Sequence, residues 1–187
     1  NLFLIGGLAD LNADPTDPGQ TIDSFFSDHE YFKHIEIGWT PSQDRIYLDN
    51  LHLTLWHADE REEVAQPSGW GANLSWTTYL AGKWLPFVRA GWADDGGSLT
   101  QKSVSVGFGF QPKPGKNLLG LGINWGQPNE DTWGPGLDDQ YTAELFYRWQ
   151  ISKAIAVTPD LQYIKNPALN PDAKSIWVFG VRLRGVL

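Results

Sequence analysis

Between residues 103 and 111 the chain alternates strictly. Val104, Val106, Phe108 and Phe110 make one set, and Ser103, Ser105, Gly107, Gly109 and Gln111 make the other. Successive side chains of a strand point to opposite faces, so a period of two predicts a β-strand whose faces meet different surroundings. The pattern recurs in Leu119, Leu121, Ile123 and Trp125 against Gly120, Gly122, Asn124 and Gly126. It recurs again in Tyr141, Ala143, Leu145, Tyr147 and Trp149 against Thr142, Glu144, Phe146, Arg148 and Gln150. Near the end, Trp177, Phe179, Val181 and Leu183 oppose Ile176, Val178, Gly180, Arg182 and Arg184. Read along the whole chain, the alternation predicts strands over 2–9, 31–40, 48–57, 69–80, 84–93, 102–111, 118–126, 140–151, 154–164 and 175–185. A short helix is expected at 21–26, in the first long connection.

Alternation also describes a soluble antiparallel sandwich, so the size of each set has to decide. A sandwich core needs close packing, whereas a barrel in lipid turns bulky apolar residues outward and tolerates a small, polar, wet interior. Most segments here are bulky on one side and thin or polar on the other. Rings also gather near segment ends, at Trp39, Trp70, Trp84, Trp92, Trp125, Trp149 and Trp177, as in the aromatic girdles of outer-membrane barrels. Connection lengths alternate: 10–30, 58–68, 94–101, 127–139 and 165–174 are long, while 41–47, 81–83, 112–117 and 152–153 are short. That rhythm suits long external loops and short periplasmic turns, with both chain ends on the periplasmic side. The fold class expected is all-β: a transmembrane antiparallel up-and-down β-barrel. Pro86 and Pro159 fall inside strands, each deleting a ladder donor, so a bulge or irregularity is expected at each.

Composition narrows the partners. The formal net charge is −8, which argues against nucleic acid, since a phosphate backbone demands a basic surface. No apolar run reaches the length of a membrane helix, but a barrel strand offers lipid only alternate side chains. Cysteine is absent, so there is neither a disulfide frame nor a thiolate metal site, and no cofactor is expected. The chain opens at Asn1 inside an apolar run, which reads as a mature or truncated product.

The thin face suggests an incomplete barrel. Ser103, Ser105, Gly107, Gly109, Gly120, Gly122 and Gly126 would leave space that a closed ten-stranded barrel should fill, whereas a barrel of about 16–18 strands encloses an aqueous channel. Residues 1–187 then form a single domain, part of a longer barrel. An alternative is that these glycines admit a plugging loop or allow sharp curvature. Charge on a barrel strand belongs inward, because Arg at the bilayer midplane costs about 2–4 kcal/mol on the lipid face. This makes Glu36, Arg89, Glu144, Arg148, Asp160, Arg182 and Arg184 candidate pore-lining residues, with mutual ion pairing as the structural alternative. Trp56 is expected inward beside Thr54, as a stacking surface for a sugar or as a loop-packing ring. His57, Asp59, Glu60, Glu62 and Glu63 lack a helical frame and predict no dedicated metal site; Asp59, Glu60, Glu62 and Glu63 are weak divalent-cation candidates.

Several longer segments carry a family resemblance. Gly120-Leu-Gly-Ile-Asn-Trp-Gly126, Asp139-Gln-Tyr-Thr-Ala-Glu-Leu-Phe-Tyr-Arg148, Ile155-Ala-Val-Thr-Pro-Asp-Leu-Gln-Tyr163, Asn166-Pro-Ala-Leu-Asn-Pro171 and Ser175-Ile-Trp-Val-Phe-Gly180 resemble the carbohydrate-selective porin family of the OprB type. Ile5-Gly-Gly-Leu-Ala-Asp-Leu-Asn-Ala-Asp14 and Phe32-Lys-His-Ile-Glu-Ile-Gly-Trp-Thr-Pro41 are similar too. The resemblance implies a bacterial outer-membrane porin, a homotrimer among lipid and lipopolysaccharide. By the same resemblance its barrel of about sixteen strands passes glucose-like sugars passively, residues 1–187 are its C-terminal part, and arginines and acids in the channel favour sugar hydroxyls, so that Glu36, Arg89, Glu144, Arg148, Asp160, Arg182 and Arg184 are also the sugar-contact candidates. One departure is the ending Gly185-Val-Leu187 where such proteins commonly finish on Phe; Leu187 keeps an apolar residue in the outward register. No enzyme is expected. Two other readings stay open: a ten-stranded outer-membrane barrel enzyme, protease-like, with an acidic rim of Asp94, Asp95, Asp138 and Asp139, and a soluble glycan-binding sandwich.

Overall fold

The computed structural model describes residues 1–14, 16–113 and 115–186. Ten strands form one antiparallel sheet in simple sequence order. They are β1 (Leu2–Asp10), β2 (Tyr31–Trp39), β3 (Asn50–Ala58), β4 (Gly69–Thr77), β5 (Trp84–Asp95), β6 (Thr100–Phe110), β7 (Leu118–Pro128), β8 (Gln140–Gln150), β9 (Ile155–Lys165) and β10 (Ser175–Gly185). Each alternating segment of the sequence is one of these strands, so the all-β, up-and-down architecture is as expected. The expected helix in the first loop is α1 (Pro18–Ser27), whose N-terminus is capped by the Asp17 carboxylate accepting from the Gly19 and Gln20 N–H groups. A single further turn, α2 (Glu130–Trp133), follows β7. Among the described residues no helix is long and apolar enough to cross a membrane.

The sheet has no apolar core. Among the described residues the buried hydrophobic ones are Ala58, Ala93 and Ala156, while Leu53, Leu55, Val106, Ile123, Leu145 and Phe179 stand exposed. In β3 exposure alternates without a break, Leu51, Leu53 and Leu55 being exposed and His52, Thr54 and Trp56 partly covered. The face bearing small and polar residues is therefore the more enclosed one, and the bulky face is open. This inverts a soluble sandwich, in which the large side chains would shield one another. Register carries each face across the sheet. Leu4, Ile37, Leu53, Leu74, Ala90, Val104, Trp125 and Tyr141 are successive partners on the apolar face, and Glu36, Thr54, Asn73, Gly91, Ser103, Gly126 and Gln140 on the other. Along the apolar face rings pair near the strand ends: Trp70 with Trp92 at 4.6 Å, Trp84 with Phe110 at 4.4 Å and Tyr163 with Trp177 at 4.7 Å.

The irregularities expected at the two prolines are real, and two strand boundaries are corrected. At Pro86 the register opposite Phe108 is kept and there is no bulge, but the rungs at Thr78 and Tyr79 are lost between Thr77–Phe87 and the Leu80–Trp84 bridge, with the Pro86 carbonyl still accepting from the Thr78 N–H at 3.3 Å. Among the described residues the register of these ladders shifts between Thr100 and Lys102. At Pro159 the irregularity is real but is no bulge, since the rungs opposite Thr158 and Pro159 are lost from the β8 side while Phe146–Asp160 and Trp149–Val157 keep one register. The connection placed at 94–101 is not long, because β5 runs to Asp95 and β6 begins at Thr100. β4 also stops at Thr77, as the Thr78 hydroxyl and Tyr79 N–H turn to the Asp49 carboxylate. The placement expected of Leu187 lies outside the described residues.

Candidate functional site

The enclosed face is the site. β-Pleat parity puts every charged candidate on it: Glu36 in the row of Thr54 and Asn73; Arg89 in the row of His52, Ser75, Ser105, Asn124 and Thr142; Glu144 with Gly122 and Gln162; Asp160 with Phe146 and Gly180; Arg148 opposite Leu118; Arg182 opposite Thr158; Arg184 opposite Ala156. Two groupings result. Toward β2–β6, Glu36 accepts from the Thr54 hydroxyl at 2.7 Å and lies 3.9 Å from His52 Nε2, whose Nδ1 sits 2.8 Å from Asn50 Oδ1. Beside them a hollow of about 410 Å³ is lined by His52, Asn73, Ser75, Arg89, Ser103 and Ser105. Toward β8–β10, beside the short β8–β9 turn, Arg148 and Arg184 share a second hollow of about 330 Å³ with Gln150 and Lys153. Arg182, Glu144 and Asp160 stand apart from these hollows.

Ion pairing does not organise this wall. Among the described residues no carboxylate lies within 4.0 Å of Arg89, Arg148, Arg182 or Arg184. Arg89 instead lies over the Phe87 ring, 5.7 Å from its centroid, and Arg148 reaches only the Lys116 carbonyl at 3.5 Å, leaving its buried Nε without a partner. A face of guanidinium donors, carboxylate acceptors and hydroxyls can exchange hydrogen bonds with a polyol in place of water.

A Cβ on Gly122 or Gly126 would meet nothing closer than 3.5 Å, but other glycines do not leave the bare wall that their composition suggested. Neighbouring side chains lie across them: a Cβ on Gly38 would stand 2.1 Å from the Phe3 ring, on Gly71 2.5 Å from the Trp56 indole, on Gly120 2.2 Å from the Phe146 ring and on Gly107 2.7 Å from the Phe87 ring. Glycine is needed there because another strand's ring occupies its side-chain space. Trp56 is on the enclosed face, as expected, with its ring 5.7 Å from Phe32 in a stacked arrangement. His52, Asn73, Ser75, Asn124 and Phe87 belong to the same wall and were not singled out from the sequence. His52 could have been, since it shares the parity of Thr54 and Trp56.

The acidic loops are arranged structurally. Asp59, Glu60, Glu62 and Glu63 border one hollow of about 470 Å³ with Asp28 and Glu30. Asp59 is engaged by Lys33 Nζ at 2.7 Å, by the Tyr31 N–H at 3.0 Å and by His57 Nδ1 at 3.3 Å. Its carboxyl is held below the ordinary range: burial pushes it up, but the hydrogen bonds from Lys33 and Tyr31 and the positive charge of Lys33 outweigh this. Asn12 ties the loops together, donating to Glu30 at 2.6 Å and accepting from Arg61 Nε at 3.1 Å. Among the described residues no group of His, Asp and Glu is arranged to hold a metal ion. The supposed acidic catalytic rim is likewise dispersed. Asp94 and Asp95 are adjacent in β5 and point to opposite faces, Asp95 accepts from Gln66, and Asp139 accepts from the Trp125 indole at 2.8 Å.

Comparison with known proteins agrees with this geometry. The family model described as carbohydrate-selective porin, OprB family, matches residues 41–187. A solved structure titled as the high pH structure of Pseudomonas putida OprB superposes with a TM-score of 0.70 at 16% identity, covering 98% of this chain and 55% of that one. The chain thus spans about half the length of that structure. Comparison with curated protein sequences gives no match.

Proposed function

The chain belongs to the carbohydrate-selective porin family of the OprB type, and from that premise we propose that it forms part of a passive, sugar-selective channel in a bacterial outer membrane. The observation that carries this reading is the inversion of the sheet: bulky apolar side chains exposed, polar and charged ones enclosed, and only alanines among the buried hydrophobic residues. In water that arrangement would be driven to collapse; between acyl chains and an aqueous lumen both faces are satisfied.

β1 and β10 each pair on one side only. Open sheet edges are not tolerated in hydrocarbon, so further strands complete the wall, in keeping with residues 1–187 being one portion of a single porin barrel of about 16–18 strands. Glu36, Arg89, Glu144, Arg148, Asp160, Arg182 and Arg184 line the channel and offer donors and acceptors to passing sugars; no catalysis and no cofactor are invoked. Lipid and lipopolysaccharide surround the barrel, which assembles as a homotrimer. Uptake by liposomes carrying the full-length protein tests the reading: glucose enters faster than a size-matched non-sugar. Equal rates would remove the selectivity, and no uptake of either would remove the channel.

A further inference from the structure

On the enclosed face, β6 and β7 place Gly107 opposite Gly122 and Gly109 opposite Gly120, a patch of bare backbone between two strands that bear large side chains. Phe87 comes in from β5, its ring 2.7 Å from a Cβ built on Gly107 and 3.7 Å from one on Gly122. Phe146 comes in from β8, its ring 2.2 Å from a Cβ built on Gly120. Gly120 is consequently buried, whereas Phe87 and Phe146 stay partly exposed. Leu118 and Leu85 approach Gly109 at 3.2 and 3.6 Å on the same basis and complete an apolar island in an otherwise polar wall.

Each ring is laid along the wall, its underside against backbone. Hydrogen-bonding groups flank the rings at the same height. Glu144 and Gln162 share the row of Phe87, Asp160 shares the row of Phe146, and the Arg89 guanidinium lies over the Phe87 ring, 5.7 Å from its centroid. An apolar protein segment seated here would strip water from those carboxylates without replacing its hydrogen bonds. A pyranose would not, since its flat C–H face suits an aromatic surface while its equatorial hydroxyls project outward to donors and acceptors.

We propose that Phe87 and Phe146, seated on the glycine patch of β6 and β7, form a stacking subsite for the pyranose ring of a transported sugar. The proposal rests on the sugar-channel reading, and its test separates the two. The full-length protein is reconstituted in planar bilayers, and current block by D-glucose is titrated beside that by D-mannitol, an acyclic polyol of similar size without a flat face. Phe87→Leu and Phe146→Leu keep apolar bulk over the glycines but lose the ring; each is expected to weaken glucose block by about two- to tenfold, the worth of one aromatic contact, and to lower the glucose-to-mannitol ratio. Phe146→Trp, with a larger ring, is expected to strengthen glucose block. If the wild-type protein does not distinguish glucose from mannitol, the sugar-channel selectivity fails. If it does and the Leu variants keep the same ratio, the stacking subsite is overturned while the channel stands. Should a Leu variant fail to assemble, the Trp variant decides, and block unchanged or weakened contradicts the proposal.

Discussion

Gly120 shows how one methyl group sets the surface of the wall. A Cβ there would meet the Phe146 ring at 2.2 Å, a distance that can be relieved only by lifting the ring off the backbone. Gly120→Ala is therefore expected to destabilise the full-length barrel by about 1–3 kcal/mol, as overpacking does. In a Phe146→Ala background the same change is expected to cost much less, because the clashing ring is gone. Urea unfolding in lipid vesicles measures the cycle, and equal costs in both backgrounds would show that the ring does not rest on this glycine. Parity alone revealed that Phe146 and Gly120 share the polar face, since each is visible in its own alternating segment. That one covers the other depends on the β7–β8 register, which neither segment encodes by itself, and the glycines therefore read as empty space. The inward orientation of Arg89, Glu144 and Arg182 followed from alternation directly, and the same parity sets Phe87 beside Arg89, two residues apart on one face of β5.

At the scale of elements, strands were legible and their ends were not. A strand's interior announces itself by period, but its end is decided by partners distant in sequence. Asp49 is the clearest instance. It closes the β2–β3 connection and binds the β4–β5 one, accepting from the Thr78 hydroxyl at 2.7 Å, the Tyr79 N–H at 2.9 Å and Arg45 Nη2 at 2.5 Å, so β4 stops short of residues that alternate well. Burial pushes the Asp49 carboxyl up, but those hydrogen bonds and the Arg45 charge prevail and hold it below the ordinary value of 3.8. With the folded value depressed, Asp49 contributes stability above pH 3.8 that is lost as pH falls through the lower, folded value. Asp49→Asn is expected to lower stability near neutral pH by about 1–3 kcal/mol, the range for a charged hydrogen-bonded group. The gap from the wild-type protein is expected to close in strong acid, where Asp49 is itself neutral. Thermal unfolding across pH measures this, and a gap constant down to the lowest pH would contradict it. The prolines teach the same lesson. Pro86 faces β4 and silences the rungs at Thr78 and Tyr79 without shifting the register, which resumes at Leu80 and Trp84. Pro159 faces a live ladder and silences two rungs of it.

For the whole molecule, the account stands on which face meets which solvent. Residues as far apart as Leu4 and Tyr141 join one continuous apolar surface, and Glu36 and Gln140 join its polar opposite, through registers that all agree in parity. Such agreement is strong because slipping any one strand by a residue would exchange its faces. Amphipathic strands, aromatic girdles and the family were legible in the sequence; the sharing of the wall between rings, glycines and unpaired guanidiniums was not, because it arises only when strands are laid side by side. The most direct test is a single-cysteine scan of 103–110 in the full-length protein in lipid vesicles. A fluorophore at Val104, Val106 or Phe108 should be quenched by brominated acyl chains, while cysteine at Ser103, Ser105 or Gly107 should react with a small charged thiol reagent, in strict alternation. If Val104, Val106 and Phe108 are instead shielded from lipid and water alike, the apolar face packs on protein and the channel account is wrong.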